Sequence, residues 1–218
     1  MDLDLRRPTV VITGQWNPAI FDPNWTAKHL LGMPIGTDLL VTQVFAGNKI
    51  TNYFGQVGIS VLDSRVEIYL NKFDAENQAK LEKLVVNVAA MLPHTPVQAL
   101  GVNFYFSEPD VSATLVDMLK THEQLESRFE VSAQSIVSVV KTEGAELNLR
   151  RDLSGQSLAF DFNYHHLLPA GASDVATTAK GAVTRLYNAA VALIADVYSL
   201  DTDSVKFVGH EFPASPIQ

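Results

Sequence analysis

Few side chains in this sequence are placed to do chemistry, and the clearest are two adjacent histidines, His165 and His166. They end a strand-like run, where neighbouring residues point to opposite faces, so the two imidazoles do not share one metal ion. Zinc would need at least one more histidine or carboxylate. Nothing in the sequence brings the remaining histidines to this pair: His29, His94, His122 and His210. We therefore expect no metal site, and a solvated strand end with one packed histidine.

Two carboxylates, Glu67 and Asp161, occupy equivalent positions in two similar segments of the chain. A pseudo-two-fold axis would place them across from each other on one sheet face, where paired carboxylates can act as acid and base if their environments separate their pKa values. Acidic residues on an exposed sheet face more often keep that face soluble and unpaired. The chain has neither a Gly-x-Ser-x-Gly nucleophile motif nor a glycine-rich phosphate loop. The sequence therefore favours a protein without catalytic residues or cofactor, and it leaves enzymatic activity open.

The charge balance argues against nucleic acids and anionic membranes as partners. The 218 residues include 16 Lys and Arg against 24 Asp and Glu, a formal net charge of -8, without a long run of like charges. A protein that grips phosphates needs a clustered basic surface, because phosphate neutralisation supplies most of that affinity. The two basic pairs, Arg6-Arg7 and Arg150-Arg151, are explained by solvated strand ends.

Hydrophobic residues make up 47% of the chain, enough for a sizeable core, and no linker rich in Gly, Ser or Pro divides it. We expect one domain over residues 1–218, with a short helix-to-strand connection at 93–96. The apolar stretches end well short of the roughly 20 residues that cross a bilayer. The chain has no cysteine, which excludes disulfides and thiol chemistry and fits a reducing compartment. We therefore expect a cytoplasmic protein without membrane association.

The second half of the chain repeats the order of elements of the first half. Each half begins with a strand-like run and a short helical stretch, and later has an alternating strand that leads into a long helix. In the first half these are residues 8–16, 24–31, 66–71 and 74–92; in the second they are 96–106, 111–120, 158–163 and 173–198. The offset of about 88 to 92 residues is the size of a repeated half-domain. We therefore expect pseudo-repeated halves, about 8–95 and 96–198, followed by a C-terminal tail, 199–218.

Between these segments, short turns join further strands into a meander in each half. The strand-like runs are 39–45, 49–54, 56–62 and 65–71 in the first half, and 129–141, 145–151 and 156–164 in the second. Strands joined by such short loops pair antiparallel. Both long helices carry apolar residues at spacings of three and four, so each has one face to bury against a sheet.

The matched strands alternate between apolar and polar side chains, which predicts a sheet with two unlike faces. Val66, Ile68 and Leu70, for example, face one way and the residues between them the other. A sheet with one apolar face is covered by helices on that side only, which is the α+β arrangement. The other face is open to solvent or to a partner. We take its polar residues as candidate binding residues: Glu67, Tyr69, Asn71, Asn103, Tyr105, Asp161 and Asn163.

The order strand, helix, meander and long helix, written twice, resembles the TATA-box-binding-protein-like fold. That resemblance covers residues 8–198 and implies a saddle, in which long helices lie on the convex back of a curved antiparallel sheet. Several bacterial families of unknown activity are similar at this level, so the resemblance implies architecture and little else. DNA-binding members press a basic concave face with aromatic wedges into the minor groove. Here that face carries acidic and amide side chains, so we do not expect DNA binding.

We predict a non-enzymatic interaction or assembly protein that binds a protein partner, or a second copy of itself, through an open acidic sheet face or an exposed edge. The alternative is a small-molecule-binding protein or hydrolase with a pocket between sheet and helices. In the tail, Phe207, Val208 and Phe212 stand among polar residues. Such a tail could add an edge strand to its own sheet or to a neighbour's.

Overall fold

A computed structural model of the chain describes residues 1–34, 40–47, 49–120, 128, 131–142 and 144–212. The described residues form one large sheet of eleven strands, antiparallel except for one short pair, and five helices. The strands are β1 (Asp2–Asp4), β2 (Val10–Gly14), β3 (Val41–Ala46), β4 (Lys49–Phe54), β5 (Val57–Leu62), β6 (Arg65–Leu70), β7 (Val97–Glu108), β8 (Ala133–Thr142), β9 (Ala145–Ser154), β10 (Ser157–Leu167) and β11 (Lys206–Val208). The helices are α1 (Pro23–Trp25), which continues as a π-helical turn (Thr26–Leu30), α2 (Ala75–Met91), α3 (Ala113–Leu119), α4 (Ala172–Ala179) and α5 (Ala182–Tyr198).

The strand order from one edge of the sheet to the other is β3-β4-β5-β6-β2-β7-β10-β9-β8. At the centre, β2 from the first half pairs antiparallel with β7 from the second, with Ile12 opposite Leu100. Beside them, β1 pairs antiparallel with the end of β7 and parallel with β11, so residues 206–208 of the tail extend the chain's own sheet. Both halves of the chain therefore share one sheet.

The core lies between one face of this sheet and the helices. Along β10 the side chains alternate, so Leu158, Phe160 and Phe162 are buried while the residues between them are partly exposed. Helix α2 packs on β5 and β6, and α5 packs on β7. The apolar stripe predicted for α2 is buried in this layer: Leu81, Leu84, Val85 and Val88. The α+β class predicted from the sequence is therefore confirmed.

The single helix predicted at 173–198 is wrong, because the structure divides it into α4 and α5. Gly181 between them has a φ of 63°, a left-handed conformation that glycine adopts without steric cost. The carboxylate of Glu82, on α2, accepts hydrogen bonds from the backbone amides of Gly181 (2.9 Å) and Val183 (3.2 Å). A side chain about 100 residues away thus accepts hydrogen bonds from the first amides of α5. No local sequence pattern predicts this cap.

The start of α2 agrees with the sequence, since the Asp74 side chain accepts a hydrogen bond from the backbone amide of Asn77 over 2.9 Å. Residues 39, 129 and 130, predicted in strands, lie outside the described residues, as does His122. In the part of the chain that the structure describes, no helix is both long and apolar enough to cross a membrane.

We expect Glu82→Ala to lower the free energy of unfolding by about 1 kcal/mol, the usual cost of a lost helix cap. The amides of Gly181 and Val183 would exchange a carboxylate for water at the positive end of α5. Glu76→Ala is the matched control, because Glu76 on the same helix forms an exposed ion pair with Lys80 and should cost about 0.5 kcal/mol or less. Urea unfolding followed by circular dichroism measures both variants, and equal losses would contradict the capping role.

Candidate functional site

The seven binding candidates predicted from the sequence lie in four different environments. Two are buried in a charged cluster on β6, two belong to an asparagine ladder in the middle of the sheet, two line a pocket, and one holds the C-terminal tail. Cross-strand register decides this grouping, because directly opposite residues of paired strands lie on the same face.

The charged cluster is centred on Glu67, whose carboxylate accepts three hydrogen bonds. Its Oε2 lies 2.9 Å from Lys49 Nζ and 2.6 Å from the Tyr69 hydroxyl, and its Oε1 lies 2.7 Å from Arg65 Nε. Lys49 Nζ also donates to the Tyr69 hydroxyl oxygen over 2.7 Å. Glu67 is 4% exposed and Tyr69 is 2% exposed. These four residues, which we call the Glu67 cluster, therefore leave the carboxylate little contact with solvent.

Opposing effects act on the ionisation of this cluster. Burial favours the neutral carboxyl group of Glu67, but the hydrogen bonds from Tyr69, Arg65 and Lys49 outweigh burial and hold the pKa of Glu67 below its usual value. Burial and the adjacent Glu67 charge raise the pKa of Tyr69, so its hydroxyl stays protonated and donates to the carboxylate. The Glu67 cluster ties β4 to β6 across β5, and this makes it a structural clamp.

Contrary to the expectation of an open face, the sheet is covered around β4 to β6. The ring of Tyr53 lies across Gly58, where a Cβ atom would come within 2.6 Å of a ring carbon. Two residues of the tail, His210 and Phe212, pack against this ring with centroid distances of 5.6 Å and 4.9 Å. Tyr53 is therefore buried, and solvent is kept from the middle of this half of the face.

Asn71, just beyond β6, fixes the tail to the sheet. Its side-chain oxygen accepts a hydrogen bond from the backbone amide of His210 over 2.5 Å, and its Nδ2 donates to the His210 carbonyl oxygen over 3.0 Å. Nearer the helices, Phe207 stacks on Phe73 at 5.4 Å, so the tail passes from the helical side to the polar face. Asn71 is thus occupied by an internal contact that the sequence did not predict.

The asparagine ladder crosses three neighbouring strands. Asn163 on β10 lies directly opposite Asn103 on β7 and Asn148 on β9. Asn163 Nδ2 donates to Asn103 Oδ1 over 2.5 Å, Asn148 Nδ2 donates to Asn163 Oδ1 over 3.3 Å, and Asn103 Nδ2 donates to the Pro8 carbonyl over 3.3 Å. A Cβ atom at Gly101 would lie only 3.1 Å from Asn163 Nδ2. These side-chain amides hydrogen-bond to one another. Asn148 was not predicted as a member of the ladder, because the register between strands cannot be inferred from the sequence.

The remaining two candidates, Tyr105 and Asp161, lie opposite each other on β7 and β10 and line a pocket of about 360 Å³. The Arg7 guanidinium carbon lies 3.4 Å from the centroid of the Tyr105 ring, a cation–π contact. Arg7 Nη2 is also 3.4 Å from Asp161 Oδ2. On the next strand, Arg150 Nε pairs with Asp152 Oδ1 at 2.8 Å. We call this the charged pocket; its other lining residues include Asp4 and Ser107.

The charges of this pocket remain partly exposed, unlike those of the Glu67 cluster. The Asp161 and Arg7 side chains are 31% and 50% exposed. Burial raises the pKa of Asp161 above its usual 3.8, and the cations of Arg7 and Arg150 only partly offset it. Burial, together with the charge of Asp161, raises the pKa of Tyr105 to about 12. The pocket therefore offers a neutral phenol, two guanidinium groups and carboxylates to an incoming group.

The pocket's two arginines, Arg7 and Arg150, were not among the predicted binding residues. Each belongs to one of the two basic pairs, which the sequence alone explains as solvated strand ends. The members of a pair diverge on a strand: Arg150 faces the pocket, whereas Arg151 turns to the helices, where its Nη1 lies 3.2 Å from the Tyr198 hydroxyl. The basic pairs were the sequence signal from which these two arginines could have been found.

The adjacent histidines lie on opposite faces, as the alternation predicts. His166 is packed on the helical side, where Nδ1 lies 2.8 Å from the Gly144 carbonyl oxygen, and burial lowers its pKa. His165 lies opposite Gly101 on the polar face. Among the residues that the structure describes, no group of three or more His, Asp or Glu side chains could hold a metal ion.

A second cavity, of about 430 Å³, lies between α2 and α4. Small residues such as Ala89, Ala90 and Ala176 line it, and its described lining includes no titratable side chain. It lies between two helices, so it is not the cavity between sheet and helices that the small-molecule alternative expects.

Comparison with known proteins gives no further guide to these sites. No protein-family model matches the chain, and no curated protein matches it. The charged pocket and its geometry are therefore the basis on which a function can be inferred.

We expect Glu67→Gln to lower the free energy of unfolding by about 2 kcal/mol at neutral pH, because a charged acceptor of three hydrogen bonds becomes a neutral one. The pKa of Glu67 is lowered in the folded protein, so its contribution is fully present above the usual glutamate pKa of 4.5 and is lost as the pH falls through the folded pKa. The difference between wild type and variant, measured by urea unfolding, should therefore shrink towards zero in acid.

The matched control for this clamp is Glu146→Gln, which neutralises an exposed carboxylate on the same sheet face. It should change the free energy of unfolding by less than about 0.5 kcal/mol. A loss at Glu67 that stayed constant as the pH fell would show that its charge is not the stabilising feature.

Proposed function

We propose that the chain is a non-enzymatic interaction protein that binds a protein partner through the charged pocket. One observation carries the proposal: within the polar face, Arg7 and Asp161 bring partly exposed charges to a concave site beside the Tyr105 ring. The other predicted residues are occupied by the Glu67 cluster, by the asparagine ladder and by the tail. A surface that keeps exposed, unburied charges in a concavity is suited to recognition.

The pocket suits a basic side chain of that partner. Of its three carboxylates, Asp4 and Asp152 are held by short ion pairs, with Arg6 at 2.7 Å and with Arg150 at 2.8 Å, which leaves Asp161 as the carboxylate with a long contact. Arg7 illustrates how a guanidinium fits, over the Tyr105 ring and beside Asp161. The Arg7–Asp161 ion pair, at 3.4 Å, is longer than the roughly 2.7–2.9 Å that is usual for such pairs. An incoming guanidinium can therefore compete for Asp161.

The acidic balance of the chain also favours a basic protein surface as the partner over a nucleic acid. A net negative protein steers positively charged partners towards itself and repels phosphate backbones. Arginine is enriched at protein interfaces, and its guanidinium group both stacks on aromatic rings and pairs with carboxylates.

We also infer that the two halves, about 8–95 and 96–198, arose from one duplicated unit with the TATA-box-binding-protein-like architecture. The strand order supports this inference. Reading outwards from the central pair β2 and β7, β6 matches β10, β5 matches β9 and β4 matches β8. Each series is followed by a long helix, α2 in the first half and α5 in the second. A curved sheet with the pocket on its concave side would follow from that architecture.

The binding proposal is tested with Nα-acetyl-L-arginine N-methylamide, followed by amide chemical shifts of the ¹⁵N-labelled chain. We expect roughly millimolar binding, as for one interface side chain in isolation, with the largest shifts at Tyr105, Ser107 and Ala159. Asp161→Asn should weaken it about fivefold or more, because the variant removes the carboxylate that faces the guanidinium. Since the pKa of Asp161 is raised, binding should also weaken in acid at a higher pH than for an ordinary aspartate.

Glu146→Gln is again the matched control, since Glu146 is an exposed carboxylate of the same face outside the pocket lining. It should bind the arginine probe as the wild type does, and both of these proteins should bind the analogous glutamate probe more weakly than the arginine probe. Equal binding of the glutamate probe, or arginine binding that survives Asp161→Asn, would refute the proposal. Cleavage of an amide bond of the probe would favour the hydrolase alternative instead.

A further inference from the structure

Strand β8 forms one edge of the sheet in the part of the chain that the structure describes. Among those residues it pairs only with β9, so one side of its backbone from Ser135 to Thr142 has no strand partner there. Val137 and Val139 are 62% and 60% exposed, and Val140 is 43% exposed. An edge strand with free N–H and C=O groups is a template for pairing with another strand.

The usual protections of an edge strand are missing from most of β8. The register with β9 runs without a shift from Ala133 opposite Ser154 to Thr142 opposite Ala145, so no bulge bends the edge away. The strand contains no proline, and its single charged residue, Lys141, stands next to its last position. A long, regular and nearly uncharged edge of this kind is normally covered.

We propose that β8 pairs antiparallel with β8 of a second copy of this chain, about a two-fold axis at Ser138. The segment Ile136-Val137-Ser138-Val139-Val140 reads nearly the same from either end. A two-fold axis at its centre therefore sets Val137 of one copy opposite Val139 of the other, and Ile136 opposite Val140. Both pairs join β-branched side chains on a common face, the favourable cross-strand combination.

Charge complementarity supports the same register. Two chains of net charge -8 repel each other over most of their surfaces, but they would meet here at a strand whose only charge is positive. The axis at Ser138 sets Lys141 of one copy opposite Ser135 of the other. Asp152 lies directly beyond Ser135 on β9. Each lysine therefore approaches Asp152 of the opposite copy, a carboxylate that also pairs with Arg150 of its own chain at 2.8 Å. A shift of the register by one residue would turn the valines to the wrong face.

Cysteine cross-linking tests this register, because the natural chain contains no cysteine. In Ser138→Cys the two new thiols face each other, with Cα atoms about 4.5–5.5 Å apart, inside the range for a disulfide. In Val137→Cys the two Cα atoms would be roughly 8 Å apart, too far for a bond. We expect mild oxidation to give a covalent dimer at least about tenfold more with Ser138→Cys than with Val137→Cys or Val139→Cys alone.

The double variant Val137→Cys/Val139→Cys should cross-link although neither single variant does. In the double variant, the cysteine at position 137 of one copy lies opposite the cysteine at position 139 of the other copy. This variant leaves Ser138 and its contact with Arg151 Nη2 in place. Its result therefore does not depend on any loss of stability that Ser138→Cys causes. Equal cross-linking by all variants, or by none, would overturn the proposed register.

Native mass spectrometry and sedimentation then test the dimer in the unmodified chain. We expect a dimer that Val139→Lys weakens by about tenfold or more, since a lysine would be placed opposite Val137. Val197→Lys, at an exposed valine on α5, is the matched control and should leave the dimer intact. A wild type that stays monomeric at high micromolar concentration, or a dimer that Val139→Lys does not weaken, would overturn the proposal. Arginine binding at the charged pocket is measured separately, so either proposal can fail alone.

Discussion

Antiparallel pairing of β2 with β7 is the contact on which the rest of the structure depends, because it joins the two halves of the chain into one sheet. Ile12 lies opposite Leu100, and both are fully buried on the helical side. Val11 and Gly101 consequently lie opposite each other on the polar face. A slip of one residue would exchange the two faces, and burial of the apolar set forbids it. With this register fixed, β6 and β10 pair on either side, and the remaining strands follow by short turns.

The two carboxylates predicted from the sequence, Glu67 and Asp161, show how far environment divides similar side chains. Glu67 is buried, and burial of a charge is tolerable there because three donors surround the carboxylate. Asp161 has one long contact with Arg7 and stays partly open to water. Hydrogen bonding therefore lowers the pKa of Glu67, whereas burial raises the pKa of Asp161. The first acts as a clamp, and the second is available to a partner.

Much of the fold could be predicted from local patterns. Period-two alternation placed Phe160 and Asp161 on opposite faces, and three-and-four spacing identified the buried stripe of α2. The contacts of the candidate site were harder to predict from the sequence. The ladder of Asn103, Asn148 and Asn163 depends on register between strands, and the clamp on Glu67 depends on Lys49 reaching across a strand. Neither is encoded in a short window of sequence.

The sequence by itself determined most of the elements, their faces and the class of fold, because those follow from the spacing of apolar side chains and from turn residues within each segment. Only the tertiary structure decided which polar residues meet. Glu82 caps a helix about 100 residues away, Arg7 reaches Tyr105 and Asp161, and the tail packs on Tyr53 of a face expected to be open. Hydrogen bonds and ion pairs act over a few ångströms, so they depend on distances in the folded chain and not on separation along it.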